Sequence, residues 1–254
     1  MCFPFDSVPP IPAIAGAAVQ HEDLTLDASD GAQCSAFCAL ADEPLGPAVV
    51  VMPDVRGLFR FYEELALRFA ERGYDSVAID YFGRTAGLGK RGEDFDFMPE
   101  VQKTTAAGIA ADVRAAVEQL RSREGQADRP VFTIGFCFGG SSSWLQAAYG
   151  HGLSGVIGFY GGPKRNWFED SAPVIERVGD FECPVLALQA GADQNITKDQ
   201  VDEFEVALSK ASVDHLVISY HGAPHSFFDR SFEEHQIASM DAWERVLSFI
   251  EHHS

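Results

Sequence analysis

Residues 131–140 read Val131-Phe132-Thr133-Ile134-Gly135-Phe136-Cys137-Phe138-Gly139-Gly140: a β-branched and aromatic run that ends in G-x-C-x-G-G and is followed by a helical pattern. A strand that stops at a glycine-flanked residue and turns directly into a helix is the layout of a nucleophile elbow, with cysteine where serine is more usual. Gly135 and Gly139 permit a tight turn at residue 137 and the close passage of neighbouring backbone. Such a turn lifts the sulfur above the rim of a sheet. There it would meet the first turn of the following helix, whose partial positive charge favours a thiolate.

A nucleophile of this kind needs a histidine and an acid to orient it, and both follow in the order nucleophile, acid, histidine. Pro184-Val185-Leu186-Ala187-Leu188-Gln189-Ala190 is a buried-strand run, and Gly191-Ala192-Asp193 presents a carboxylate at its carboxyl end. His215-Leu216-Val217-Ile218-Ser219-Tyr220 is another strand, followed by His221-Gly222-Ala223-Pro224-His225-Ser226-Phe227. Open α/β sheets collect their chemistry beyond the carboxyl ends of the strands, which is where these residues fall. Two histidines compete for the base. The H-x-F pattern and the pairing with Asp193 favour His225, leaving His221 as a strand-end or loop residue; for Asp193 itself, a turn-forming role is the plainer alternative.

Around these segments, apolar runs alternate with helical spacing, the signature of a mostly parallel sheet with helices on both faces. Strands are expected near His21 to Leu26, Gln33 to Ala39, Ala48 to Met52, Asp75 to Asp80 and Gly155 to Tyr160, the third fully buried by its continuous apolar run. Tyr62, Leu65, Ala66 and Phe69 recur at helical spacing before Gly73. Ile109, Val113, Val117 and Leu120 mark a second helix, with Arg114 and Glu118 as an i,i+4 pair on its wet face. Thr197-x-x-Gln200 resembles a capping box ahead of Val201, Phe204 and Leu208, and the closing helix carries Ile237, Met240, Leu247 and Ile250. Neither a repeat nor a linker divides the 254 residues, which read as one α/β domain, 1–254, with residues 1–18 a proline-rich N-terminal extension. The glycine- and charge-rich stretch from Gly83 to Pro99 reads as a mobile loop over the site.

With 19 Lys and Arg against 38 Asp and Glu, the chain carries a net charge of −19. That surface repels nucleic acid and anionic lipid, so a nucleic-acid role is excluded and an acidic substrate would need a local basic patch. The five cysteines, Cys2, Cys34, Cys38, Cys137 and Cys183, are odd in number and accompany no secretory signal. Disulfide scaffolding is therefore not expected, and Cys34, Cys38 and Cys183 read as small packed hydrophobes. Cys34-x-x-x-Cys38 sits in an alternating strand pattern, and no second ligand pair of zinc spacing follows, so neither a metal nor a cofactor is predicted. No run of about 20 apolar residues exists to span a bilayer. The expectation is a soluble, cytoplasmic protein, a monomer or small homo-oligomer, acting on a small molecule. Phe136, Phe138, Trp144, Trp167 and Phe227 are read as divided between core and pocket wall.

With elbow, acid and histidine in place, the sequence from about Val49 onward resembles the dienelactone hydrolase family, G-x-C-x-G-G and the downstream H-S-F being the most specific features. The resemblance implies an α/β-hydrolase fold and a Cys-His-Asp triad acting on lactones and esters, with Cys137 as nucleophile, His225 as base and Asp193 as orienting acid. It further implies an oxyanion hole from the backbone N–H groups of Val55 and Phe138. Asp54 falls where the family places a glutamate that contacts the resting thiol, with a plain turn residue as the other reading, and Arg84 where it places an arginine that grips a substrate carboxylate. Two departures stand out. Asp229 occupies the position of a second carboxylate-binding arginine, with Arg230 one residue later, and would repel a carboxylated substrate. Arg56, where an aromatic residue is expected, adds positive charge beside the pocket. Two further readings stand beside the family activity: a general carboxylesterase or thioesterase that does not act on dienelactones, and a non-hydrolytic redox-sensing or ligand-binding module using Cys137.

Overall fold

The structure, a computed structural model, describes residues 3–254. Eight strands, β1 (Val19–Asp27), β2 (Gln33–Ala41), β3 (Ala48–Met52), β4 (Asp75–Ile79), β5 (Val131–Phe136), β6 (Gly155–Phe159), β7 (Val185–Ala190) and β8 (His215–Tyr220), make one sheet in the order β1-β2-β4-β3-β5-β6-β7-β8. β1 pairs antiparallel with β2, and β2 antiparallel with β4. Every pairing from β4 across to β8 is parallel. Parallel neighbours need crossovers, and helices supply them. These are α1 (Arg60–Ala70), α2 (Gly83–Ala86), α3 (Phe97–Val101), α4 (Ala106–Arg121), α5 (Phe138–Leu145), α6 (Val174–Arg177) and α7 (Lys198–Lys210), with α8 (Gln236–His252) closing the chain.

The central strands are apolar at every position because both of their faces are covered. Alternation along β3 sends Val50 and Met52 into one core and Val49 and Val51 into the other. The first core is shared with Ile109, Val113 and Val117 of α4, Trp144 of α5 and Phe204 of α7. The second is shared with Phe61, Leu65 and Phe69 of α1 and Trp243, Val246 and Ile250 of α8. This is the mostly parallel α/β-hydrolase arrangement, and it brings the carboxyl ends of β3, β5, β6, β7 and β8 to one rim. The N-cap half of the box is present: Thr197 Oγ1 accepts from the Gln200 N–H at 3.4 Å and starts α7.

Two expectations from the sequence are corrected. Arg114 donates to the Tyr149 carbonyl at 2.9 Å rather than pairing with Glu118, since a carbonyl just past a helix end is a fixed acceptor and an exposed carboxylate is not. On α8, Ile237 and Met240 are 86% and 58% exposed, and the buried face runs through Ser239, Ala242, Trp243, Val246, Phe249 and Ile250. Burial of Trp243, Val246 and Ile250 favours that rotation, and the Ser239 hydroxyl on the same face donates to the Phe227 carbonyl at 3.0 Å. The stretch from Gly83 to Pro99 reaches the cavity described below through Phe97 and Met98, and Arg91 anchors its middle, donating to buried Asp80 at 2.7 Å and to the Gly87 carbonyl at 2.6 Å. Of the N-terminal extension, Phe3 and Ile11 are buried in the core formed with α1 and α8, while residues 12–16 are exposed.

The turn after β5 has no slack. A Cβ built on Gly135 would overlap the backbone of Gly139, and one on Gly139 would overlap the carbonyls of Met52 and Pro53. Backbone cannot yield as a side chain can, so Gly135→Ala is expected to destabilise the fold by at least about 3 kcal/mol. Urea unfolding of the two proteins measures the difference; a change below ~1 kcal/mol would contradict this packing.

Candidate active site

Cys137 sits at the junction of β5 and α5 with φ 56° and ψ −112°, a left-handed conformation that costs a non-glycine residue about 1–3 kcal/mol. The surroundings enforce it. The Cys137 N–H donates to the Phe159 carbonyl at the end of β6 (3.0 Å), and the Cys137 carbonyl accepts from Ser141 in the first turn of α5 (3.2 Å). The side chain is left half-buried at the rim. Tyr160 and Ser226 are also non-glycine residues with positive φ, at 37° and 63°, so strained backbone gathers at this rim.

The loops after β7 and β8 are stitched together: the Gly191 N–H donates to the Tyr220 carbonyl and the Ala192 N–H to the Ala223 carbonyl, both at 2.9 Å. This brings Asp193 to His225. Asp193 Oδ2 lies 2.5 Å from His225 Nδ1, while Oδ1 accepts from the N–H groups of Asn195 (2.8 Å) and Ile196 (3.2 Å). Burial pushes the Asp193 carboxyl up, but the bonds from His225, Asn195 and Ile196 outweigh it and hold the group below its ordinary range. His221 is exposed at the end of β8.

Below the elbow, the loop after β3 is fixed by two buried tyrosines. Tyr81 Oη donates to the Pro53 carbonyl (2.8 Å) and Tyr62 Oη accepts from the Asp54 N–H (2.9 Å). Asp54 is fully buried and engaged by Arg56, through its backbone N–H (2.9 Å), Nε (3.3 Å) and Nη2 (2.9 Å). Burial, then the charges of Asp54, Asp80 and Cys137, push the Tyr81 hydroxyl well above its ordinary value, so Tyr81 lies within electrostatic reach of both Asp54 and the sulfur. The guanidinium of Arg56 lies over the Phe59 ring at 4.4 Å.

A cavity of about 890 Å³ opens over the elbow, and Cys137, His225, Val55 and Arg56 all line it. Phe138 is absent from the lining: its side chain is buried with Trp144 in the core on the α4 side of the sheet, Phe136 and Phe227 are buried in the core on the other side, and Trp167 lines the cavity. Two assigned positions lie elsewhere. Arg84 is absent from the cavity lining: its guanidinium is bound by buried Asp112 (2.8 Å) and by Asp30 (2.6 Å) in the β1–β2 turn. A substrate carboxylate would have to displace two carboxylates already in contact. Asp229 is also outside the lining; it is 1% exposed and accepts from the N–H groups of Ser231 (3.1 Å) and Val8 (3.4 Å). It binds backbone and does not confront a substrate.

Several lining residues escaped the sequence reading. Tyr160, at the end of β6, packs its ring against His225 at 4.9 Å between centroids. Lys164 and Arg165 follow in the same loop, Lys164 paired with Glu203 (2.6 Å) and Arg165 lying over Trp167 at 3.7 Å. The strand-end rule that located Asp193 would have found these three. Phe3 and Pro4 also line the cavity, and nothing local in the sequence marks them. Of the other described cysteines, Cys34, Cys38 and Cys183 are buried, and burial pushes the thiols of Cys38 and Cys183 up to about 12. Cys137 is the described cysteine that reaches the cavity.

Comparison with known proteins agrees with this layout. The model of the dienelactone hydrolase family matches residues 34–254. A Rhodococcus opacus protein named carboxymethylenebutenolidase is 28% identical over 260 aligned residues, covering 99% of this chain and 96% of that protein. A Yersinia pestis protein bearing the name "Putative carboxymethylenebutenolidase" is 27% identical over 243 residues, covering 92% and 89%. A crystal structure from Klebsiella pneumoniae, described as a "Putative Dienelactone Hydrolase", is 26% identical with a TM-score of 0.81, covering 92% of this chain and 99% of that one.

The lowered Asp193 value carries a sign. A depressed carboxyl stabilises the fold above its unfolded value and loses that contribution as pH falls through the lower folded value. The stability advantage of wild type over Asp193→Asn is therefore expected to persist down to about pH 4, near the ordinary 3.8, and to shrink below it. Urea titrations across that window measure it; an advantage that grows with acid would contradict the assignment.

Proposed function

The chain belongs to the dienelactone hydrolase family, and we propose that it opens lactones or cleaves carboxylic esters through a Cys137 nucleophile and an acyl-thioester. The observation that carries this reading is the joint placement of Cys137 and His225 on one cavity, with Asp193 holding His225 by its far nitrogen. In the resting site His225 Nε2 takes the thiol proton, while Asp193 fixes the tautomer and stabilises the imidazolium. The thiolate adds to the substrate carbonyl. The oxyanion is received by the N–H groups of Val55 and Phe138, each such donor being worth roughly 3 to 4 kcal/mol in comparable enzymes. Collapse of the adduct expels the alkoxide, which takes the proton from His225. Water activated at His225 then attacks the thioester, releasing the acid and restoring the thiol.

Asp54 enters as a second acceptor for the thiol proton, available when Arg56 swings from it to an anionic substrate group. The charged side chains lining the cavity are Arg56, Lys164 and Arg165, on a chain whose net charge is −19. Arg56 and Lys164 are paired with Asp54 and Glu203, so Arg165, lying over Trp167, is the lining cation we assign to an ester or lactone carrying a negative group. With Asp229 outside the cavity, a carboxylated lactone meets no opposing charge from that position. Thiolates leave as readily as they attack, so activated esters and strained rings are the favoured substrates and amides poor ones.

Turnover of p-nitrophenyl acetate tests the reading. Wild type should hydrolyse it, Cys137→Ala should not, and Asp193→Asn should lose at least about a hundredfold in kcat with the fold intact. Equal rates in wild type and Cys137→Ala would refute the cysteine mechanism. A second comparison reads the charge: Arg165→Ala should weaken kcat/KM about tenfold for an ester bearing a carboxylate and leave its neutral methyl ester within about twofold.

A further inference from the structure

The cavity has a wall that comes from the opposite end of the chain. Phe3 is 1% exposed and stacks on Phe61 of α1 at 4.1 Å between centroids. Its ring also meets Phe136 at 6.0 Å, the residue before the nucleophile, and Tyr160 at 6.2 Å, the ring that packs against His225. One side chain thus touches the neighbours of both reacting groups, and with Pro4 it lines the cavity they share.

The segment behind Phe3 is latched to the loop that follows His225. Asp229 accepts from the Val8 N–H (3.4 Å), the Arg230 N–H donates to the Val8 carbonyl (3.1 Å), and Arg230 Nη2 donates to the Ile11 carbonyl (3.2 Å). Ile11 is buried, and further along the Ile14 N–H donates to Glu71 Oε2 at 3.0 Å. Asp229 thereby gains a purpose: a buried carboxylate four residues after the base, spent on backbone N–H groups of residues 8 and 231. The stretch from residue 3 to residue 18 lies wholly outside the 34–254 span that carries the family pattern.

We propose that residues 3–11 are a specificity element of the site: Phe3 and Pro4 complete the cavity wall beside His225, the Asp229–Arg230 latch holds them there, and Phe3 limits the size of the substrate group that reaches Cys137. The proposal rests on the hydrolase reading for its substrate but not for its geometry, which the sulfur itself can report. Truncating Phe3 extends the cavity toward Phe61, and enlarging it narrows the space in front of Tyr160.

The experiment has two arms. In the first, the alkylation rate of Cys137, read by peptide mass spectrometry, is compared for iodoacetamide and for a bulky N-pyrenylmaleimide. Phe3→Ala should raise the bulky-to-small rate ratio about tenfold, Phe3→Trp should lower it, and Phe3→Leu should return it toward wild type. Asp229→Ala combined with Arg230→Ala, which removes both side chains of the latch, should move the ratio in the same direction as Phe3→Ala. In the second arm, p-nitrophenyl esters of lengthening acyl chain and butyrates of lengthening alcohol are compared by kcat/KM, and the long-to-short ratio should rise in at least one series for Phe3→Ala. Ratios in both arms that stay within about twofold across the folded variants would overturn the proposal. A shifted labelling ratio in a protein that hydrolyses no ester would leave the wall standing and sink the hydrolase reading, whereas normal turnover with unmoved ratios would do the reverse.

Discussion

The site depends on one strained residue. Cys137 is held at positive φ between the end of β5 and the start of α5, where the backbone of α5 leaves no room for a Cβ on Gly135 and the carbonyls of Met52 and Pro53 at the end of β3 leave none on Gly139. Such a conformation survives only because its surroundings over-determine it. The consequence is a sulfur raised to the rim of the sheet, at the N-terminus of a helix whose eight residues are all buried. A rigid helix behind residue 137 fixes where the sulfur and the neighbouring N–H groups stand, the fixity that the proposed thiolate attack requires.

Around that point the chain closes its loops by pairing them with one another. The loops after β7 and β8 share two backbone hydrogen bonds, which turns the distance between Asp193 and His225 into a property of adjacent strands. The loop after β3 is held by Tyr62 and Tyr81 and carries the buried Asp54–Arg56 pair into the cavity wall. A buried ion pair adds little to stability, since desolvation offsets the attraction. Its value at this position is positional, a guanidinium facing the cavity with a carboxylate fixed behind it. The N-terminal segment completes the enclosure from the far end of the chain.

Much of this was legible in the sequence wherever its cause is local. The glycines that allow the elbow lie within three residues of Cys137, strand ends advertise themselves by a buried run and a turn, and Thr197 with Gln200 marks a helix start. The central strands followed from apolar runs, as at Ala48 to Met52, and β2 from alternation, for the same reason. What stayed hidden was decided by partners distant in sequence. Arg84 is neutralised by Asp30, 54 residues away, and Asp229 binds Val8 across 221 residues, so neither side chain serves the role its position alone suggests. Phe3 carries no periodic signal, because a single aromatic ring docking into a preformed cluster needs none. On α8, Ile237 and Met240 mislead because the face that packs is the one carrying Trp243, Val246 and Ile250, one step round the helix.

The central claim is covalent, and mass spectrometry of the quenched enzyme tests it most directly. Protein mixed with p-nitrophenyl butyrate, stopped in acid during turnover and digested, should carry one butyryl group on the peptide containing Cys137, as a thioester that neutral hydroxylamine removes. A butyryl group found instead on Ser141, Ser142 or Ser143, or product formed with no adduct on Cys137 under any quench interval, would contradict the account.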